Sequence, residues 1–531
     1  MLGHAQTLVV LLVAMLALTA VARRLLLPYP IVLVIGGLVL GFVPALKPIP
    51  LEPDLVFLVF LPPVLWAAAY FTSLRDFRAN LRPILLLAIG LVLATTFAVA
   101  AVAHAMMPDF GWAPAIVLGA IVSPPDAVAA TAIGRRLVIP RRIITILEGE
   151  SLVNDASALV IYRTAIVATA TGHFTLGHAL GEFVFAVGVG VAVGIAIAVA
   201  SRWAMALIED SFSEIAITLL APYAAWVVAE RLDASSVLAC VAGGFYIRRH
   251  YSAVASPATR LQAQAVWEQL IFFLNGAIFV FIGLELRTLR ASVKEGHLGE
   301  VIGWGAAIAA VCIVVRILWV PVASWIPRKL SAKLRARDPM PPLTAMAVIG
   351  WTGVRGIVSL AAALALPTDF PLRAEIVLIT FGVILATLVL QGLTLPPILR
   401  AIHFPEDDSL AREEQHAREQ ASAAALAHVE RLALEPWAHT DLVERMRTYY
   451  SQRDRRFSRL EIGQDEAGRK HAAAYRRLRH EALVAERLRV IELRNLGAIG
   501  DEVLQRLEHE LDVEALRIGA GDQRLDRPVH H

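Results

Sequence analysis

Leu147-Glu148-Gly149-Glu150-Ser151-Leu152-Val153-Asn154-Asp155-Ala156 is the stretch whose reading decides the fold. It leads into an apolar helical run, Ala156 to Ala170, long enough to lie within a membrane. Glu150, Ser151, Asn154 and Asp155 fall within two helical turns. Carboxylates at membrane depth are costly and mark function by default. A second polar interruption upstream, Ser123-Pro124-Pro125-Asp126, is built to meet this one.

The wider composition fits that reading. The chain has 531 residues, 57% of them hydrophobic, and a mean hydropathy of +0.62. These values exclude an ordinary soluble enzyme and favour a polytopic all-α membrane protein. A net charge of only +3 gives no electrostatic support for nucleic-acid binding. The two cysteines, Cys240 and Cys312, sit in separate apolar segments and form no disulfide framework or metal-spacing motif. The first apolar run, Gln6 to Ala22, is followed by Arg23-Arg24, whereas a cleaved signal carries its positive charge before the run. It therefore reads as a retained first span.

Spans are expected near 6–22, 28–43, 53–71, 82–106, 112–134, 142–170, 178–205, 212–230, 234–249, 263–286, 297–325, 342–365 and 373–399. That makes about 13 transmembrane helices, or twelve if one short run does not cross. One alternating set of loops carries 18 Lys and Arg and the other carries 6. The richer side is cytoplasmic, which puts the N-terminus outside and the C-terminus inside. Residues 405–531 hold 25 acidic and 21 basic residues, nearly half the chain's charge in under a quarter of its length. A transmembrane domain, 1–404, and a cytoplasmic helical tail, 405–531, follow. The tail's apolar spacing (Leu478, Leu483, Val484, Leu488, Ile491, Leu493) suits amphipathic helices.

Three spans read as discontinuous, one of them, the third span, either broken or only kinked. Pro124 and Pro125 remove backbone donors and clash with the preceding turn. Gly350-Trp351-Thr352-Gly353-Val354-Arg355-Gly356 should break the twelfth span and bears an arginine. Leu61-Pro62-Pro63 suits a kink in the third. Freed backbone at membrane depth is tolerated where it lines a cavity or an ion site. A broken helix in each half points to inverted-repeat transporters with broken crossing helices.

Charge balance then assigns roles. An unpaired buried charge costs far more than a pair, so Glu150 is expected to pair with Arg355 and hold the sixth and twelfth spans together. Asp155 shares a helix face with Ser151 and is left as the group that holds either a proton or a small cation. Asp155, Ser151 and carbonyls near Ser123 would supply oxygen ligands to Na⁺. Asn154 can donate and accept and suits tying down the unwound backbone at Pro124-Pro125. Asp126 serves either the architecture or the ion. Arg316 is expected to snorkel or pair locally. No cofactor is called for; the cation and proton are cargo.

These motifs resemble the monovalent cation/proton antiporter family of sodium/proton exchangers. The matching residues are Ser123-Pro-Pro-Asp126-Ala-Val-Ala, Gly149-Glu-Ser-Leu-Val-Asn154-Asp155-Ala, Phe279-Val-Phe-Ile-Gly-Leu-Glu285 and Gly350-Trp-Thr-Gly-Val-Arg355-Gly. The resemblance covers residues 5–400. It implies a thirteen-helix fold in which a core domain moves against a dimerisation domain, and a homodimer. The short loops, without glycosylated extensions, point to the bacterial inner membrane. The resemblance also implies that Asp155 carries ion and proton, and that Asn154 beside it marks electroneutral exchange of Na⁺, or Li⁺ or K⁺, for H⁺. Ser151 and the backbone around Ser123 would complete the ion site, with Asp126 a nearby polar anchor and Glu150–Arg355 a stabilising pair. Ala67 stands where many relatives carry an acidic residue, which bears on affinity and selectivity. Other classes fit less well. An intramembrane aspartyl protease would use two membrane aspartates such as Asp126 and Asp155, yet the residues before them do not match the motifs of those enzymes. A cation channel would lack strict proton counterflow.

Overall fold

The computed structural model describes residues 2–25, 27–43, 53–107, 110–126, 139–171, 175–208, 210–255, 257–292, 297–402, 404, 409–436 and 438–450, with scattered positions from 482 to 514. Among the described residues every regular element is helical. In chain order these are α1 (Leu2–Arg24), α2 (Tyr29–Gly41), α3 (Pro53–Phe71) and the short α4 (Leu74–Ala79). Next come α5 (Leu81–Met106), α6 (Trp112–Val122), α7 (Arg141–Thr171), α8 (Leu176–Ala206), α9 (Ser211–Arg231) and α10 (Ser236–Val254). The series continues with α11 (Pro257–Ser292), α12 (Leu298–Leu330), short α13 (Ala332–Arg337), α14 (Leu343–Trp351), α15 (Ile357–Leu364), α16 (Arg373–Ile402) and α17 (Ser409–Leu432).

Contacts divide the chain into two units, Met1–Glu406 and Asp407–His531. In the second, α17 is followed by a segment whose Arg447 forks onto Glu430. Among the described residues of the first, six helical stretches are long and apolar enough to cross a membrane, including α5, α9, α12 and α16. Tyr29–Gly41, Phe57–Phe71 and Trp112–Val122 are shorter apolar helices. Only 22% of the α8 window is buried, and Leu180, Val184, Phe185 and Trp203 point away from the unit. In water such a surface would not stay exposed, whereas hydrocarbon accepts it. The first unit is that of a multi-pass membrane protein.

Local sequence explains where helices start and bend. Ser73, Asp210, Ser235 and Ser331 each accept a backbone amide at a helix start. Pro62 and Pro63 sit inside α3, which continues through them. Within α5, residues Leu86–Leu91 form a π-helical stretch, and Trp319 of α12 donates its indole N–H to the Leu86 carbonyl there at 3.0 Å. An inserted side chain that satisfies a displaced carbonyl is one stated cause of such distortions.

The breaks expected in the fifth and twelfth spans are present, whereas the third span, α3, stays helical through its prolines. Helix α6 ends at Val122 and residues 123–126 are extended or irregular; the chain from 127 to 138 lies outside the described residues. Helix α14 ends at Trp351, and the chain is non-helical from Thr352 to Gly356 before α15. The breaks meet: Asp126 donates its backbone N–H to the Val354 carbonyl at 2.7 Å. Gly356 permits that approach, because a Cβ there would lie 2.2 Å from Asp126 Oδ2.

Two sets of helices flank these breaks. Helices α5, α6, α7, α12 and α14–α16 pack together around them, while α3 packs with α9 and α10, and α2 packs with α11. One buried apolar cluster runs through α3, α9 and α10 with Leu152 and Ala156 of α7, another through α5, α7, α12, α14 and α16, and a third joins the two sets, with α1, α2 and α11 against α5, α6, α12 and α16.

Candidate ion-binding site

A cavity of about 1030 Å³ lies between the two sets. Helices α3 and α11 wall it with Leu65, Ala67, Thr72, Glu268 and Asn275. From the other side come Pro124, Pro125 and Asp126 of the first break, Glu148, Ser151 and Asp155 of α7, and Gly356 and Ser359. Asp155 is 6% exposed, and that exposure faces the cavity. Ser151 precedes it by one turn on the same face, as the four-residue spacing requires. Asp126 of the first break lines the same cavity.

Asn154 points elsewhere. It is fully buried and its Nδ2 donates to the Pro125 carbonyl at 2.8 Å. That carbonyl was freed by the proline break, so the side chain replaces a lost helical bond. Asn154 Oδ1 has no donor among the described residues. Ser123 is also buried; its hydroxyl donates back to Ala120 O at 3.1 Å, and it is absent from the cavity wall. The residues that the first break presents to the cavity are Pro124, Pro125 and Asp126, with the Ser123 side chain turned into its own half-helix.

The expected Glu150–Arg355 pair is not formed. Glu150 is held by Arg316 of α12: Nη1 and Nη2 each donate to one carboxylate oxygen, the latter at 2.8 Å. Both side chains are 1% exposed, so the pair is a buried bidentate fork. Arg316 Nε donates to Ile349 O at 3.0 Å, satisfying a carbonyl in the last turn of α14. Arg355 does the equivalent work at the other break. Its Nε donates to Val122 O at 2.7 Å, and its Nη1 to Gly353 O. Each broken half-helix, α6 and α14, thus has a guanidinium on its C-terminal carbonyls, where the helix dipole favours positive charge. Among the described residues, the side-chain acceptors of Arg355 are backbone carbonyls. Thr387 of α16 accepts the Arg355 backbone N–H at 3.1 Å.

Sequence reasoning missed Arg316, Glu148 and Thr72. Depth marks Arg316. It stands fourteen residues before the end of α12, about 21 Å at 1.5 Å per residue, beyond the reach of a snorkelling side chain. Glu285, another polar residue noted in the sequence, lies outside the described side chains. Among the described residues no cluster of three or more His, Cys, Asp or Glu could hold a resident metal.

A family model described as sodium/hydrogen exchanger, transmembrane, matches residues 10–401. An uncharacterised Na⁺/H⁺ exchanger of Mycobacterium tuberculosis is 33% identical over 523 residues, covering 96% of this chain and 95% of that one. A sodium, potassium, lithium and rubidium/H⁺ antiporter of Bacillus pumilus is 32% identical over 439 residues, covering 79% and 65% respectively. Among solved structures, the sodium proton antiporter MjNhaP1 of Methanocaldococcus jannaschii superposes with a TM-score of 0.58 at 18% identity, over 76% of this chain and 99% of that one.

Proposed function

The chain belongs to the sodium/hydrogen exchanger family and is a cation/proton antiporter, not an enzyme, and from that premise we propose that exchange runs through Asp155. The observation that carries this is a buried carboxylate lining a large cavity beside an unwound, proline-broken helix. Asp155 and Ser151, with Asp126 and backbone oxygens of the Ser123–Asp126 break, form the cation's ligand set. Hard monovalent cations take such oxygen ligands. A proton on Asp155 removes the charge that holds the cation, so the two ligands exclude each other. Asn154 is neutral and engaged with Pro125, so one titrating carboxylate exchanges one cation for one proton. That swap moves no net charge and is electroneutral.

Further features complete the proposal. The protein spans the inner (plasma) membrane about thirteen times, with the N-terminus outside and residues 405–531 a cytoplasmic tail. It works by alternating access and as a homodimer. The cavity wall includes Arg23 and Arg400 in the last turns of α1 and α16, and Thr72 just past α3. All three lie at the ends that loop charge assigns to the cytoplasm, which supports an inward-facing state. Na⁺ is the principal cargo, with Li⁺ and K⁺ as competitors; the B. pumilus relative's name lists all three.

Proteoliposomes with an imposed proton gradient test this. Adding Na⁺ should dissipate the gradient in wild type, without dependence on membrane potential. Asp155→Asn should abolish the effect. Normal exchange by that variant would overturn the assignment, and a potential-dependent rate would overturn one-for-one stoichiometry. Li⁺ and K⁺ titrations in the same vesicles rank the cargo.

A further inference from the structure

Buried hydroxyls are ordinarily hydrogen-bonded, and those around the two breaks follow the rule. Thr352 donates to Val348 O at 2.9 Å, Thr387 to Val383 O at 2.8 Å and Tyr162 to Ala362 O at 2.9 Å. Ser359, in the first turn of α15, departs from it. The residue is 1% exposed, its Oγ has no partner among the described residues, and it stands on the cavity wall. Thr95, Thr96 and Thr380 also bury unbonded hydroxyls, but none of the three lines the cavity.

The break explains the loss of the usual bond. A helical serine can donate to the carbonyl four residues back. For Ser359 that residue is Arg355, inside the non-helical stretch from Thr352 to Gly356. Gly356 itself is extended, with φ −127° and ψ −160°, so neither carbonyl follows the course of α15. A buried hydroxyl left unbonded costs stability that alanine would not. The surroundings supply a reason to keep it. One turn before Ser359, the Asp126 carboxylate lies against Gly356. The Tyr162–Ala362 bond ties α15 to α7, the helix that bears Asp155 and Ser151. Asp126, Ser151, Asp155 and Ser359 all line the one cavity. Rotation about a single bond, Cα–Cβ, reorients the Ser359 oxygen.

We propose that Ser359 is a further ligand of the transported monovalent cation, its hydroxyl oxygen joining Asp155 and Ser151 from the second break. This rests on the reading of Asp155 given above. The cation is the partner for Ser359 that the fold itself does not supply. A hydroxyl oxygen offers two lone pairs and no charge. It therefore adds a ligand for a hard cation and leaves the exchange of one cation for one proton unaltered. Binding swaps water for protein oxygens around the cation, with no covalent change.

The test is the Na⁺-dependent rise in melting temperature of the detergent-purified full chain at fixed alkaline pH, with choline chloride holding ionic strength constant. Such a rise follows occupancy of the site. Wild type is compared with Ser359→Ala, Ser359→Thr and Asp155→Asn. Without Na⁺, Ser359→Ala should melt no lower than wild type, because it loses an unpaired hydroxyl. It should nevertheless need about fivefold more Na⁺ for half of the rise, the order of one neutral contact. Ser359→Thr keeps the hydroxyl and should stay within about twofold of wild type. In proteoliposomes the apparent KM of Ser359→Ala for Na⁺ should rise by the same factor, with the maximal rate within twofold. Ser359→Cys, which exchanges a hard oxygen for a soft sulfur, takes the place of Ser359→Ala should that variant not purify. An unchanged Na⁺ half-point overturns the proposal, whatever happens to the Na⁺-free melting temperature. A raised half-point that threonine fails to restore marks a packing effect and overturns it too. If Ser359→Ala responds as wild type while Asp155→Asn shows no rise, only the Ser359 role fails. If Asp155→Asn responds as wild type, the underlying site assignment fails instead.

Discussion

A carboxylate buried beside an arginine has one partner that matters, and the geometry gives Glu150 to Arg316. Removing one member of a buried pair leaves an uncompensated charge, a loss of about 3–5 kcal/mol. Arg316→Ala should therefore lower the melting temperature of the detergent-purified protein sharply. Glu150→Gln placed on top should recover part of the loss; the rest reflects the bond to Ile349 O. Glu150→Gln combined with Arg355→Ala should recover nothing, because Arg355 spends its donors on Val122 O and Gly353 O. Recovery in that second pair and none in the first would reverse the assignment. The sequence made plain that Glu150 needs a cation, since cost alone demands it. Which cation it takes was hidden, because spatial adjacency of α7 and α12 leaves no mark in residue order, and the glycine-flanked Arg355 was the more conspicuous arginine. Asn154 was legible for the opposite reason: a proline break frees a carbonyl nearby, and a neutral donor one turn from Ser151 is the natural group to receive it.

Among elements, the breaks were legible and the distortions were not. Two adjacent prolines and a glycine-rich run each carry their effect in the backbone itself, so α6 and α14 end where sequence placed them. The π-helical stretch in α5 contains only Leu, Ala, Ile and Gly, and the indole that bonds its Leu86 carbonyl, Trp319, comes from a distant helix. Packing between elements also decides the loop after α13. Asp338 accepts from Arg82 at the start of α5, Arg142 at the start of α7 and Arg328 near the end of α12. Burial pushes this carboxyl up, but the Arg142 hydrogen bond and the charges of Arg142, Arg328 and Arg82 outweigh it and hold it below the usual aspartate range. A depressed folded-state value adds stability above the unfolded value of about 3.9. That stability drains away as pH falls through the folded value. Asp338→Asn should thus cost on the order of 1 kcal/mol at pH 7, given its partial exposure. The melting-temperature gap to wild type should begin to close below about pH 4. A gap that widens in acid would show that the three arginines do not depend on this carboxylate.

At the scale of the molecule, the proposed alternating access would have the α7 wall move against the α3 wall, and the cavity between them gives a place to test it. The high apolar content of the chain made a multi-pass membrane protein legible, because membrane solvation acts on composition. The pairing of walls was not readable, since α3 and α7 are both apolar and either could have faced any neighbour. Thr72 and Glu148 are the polar groups that meet across that boundary. A Thr72→Cys/Glu148→Cys variant bridged by a short bifunctional methanethiosulfonate reagent should lose Na⁺/H⁺ exchange relative to the same variant left unbridged. Cleaving the bridge with reductant should return activity to that of the unbridged double variant. The native thiols do not interfere, because Cys240 and Cys312 are both buried. Single-cysteine variants treated with the same reagent control for simple blockage of the cavity. If the bridged protein still turns over at the unbridged rate, the two walls do not separate during transport, and the moving boundary must be sought between other helices.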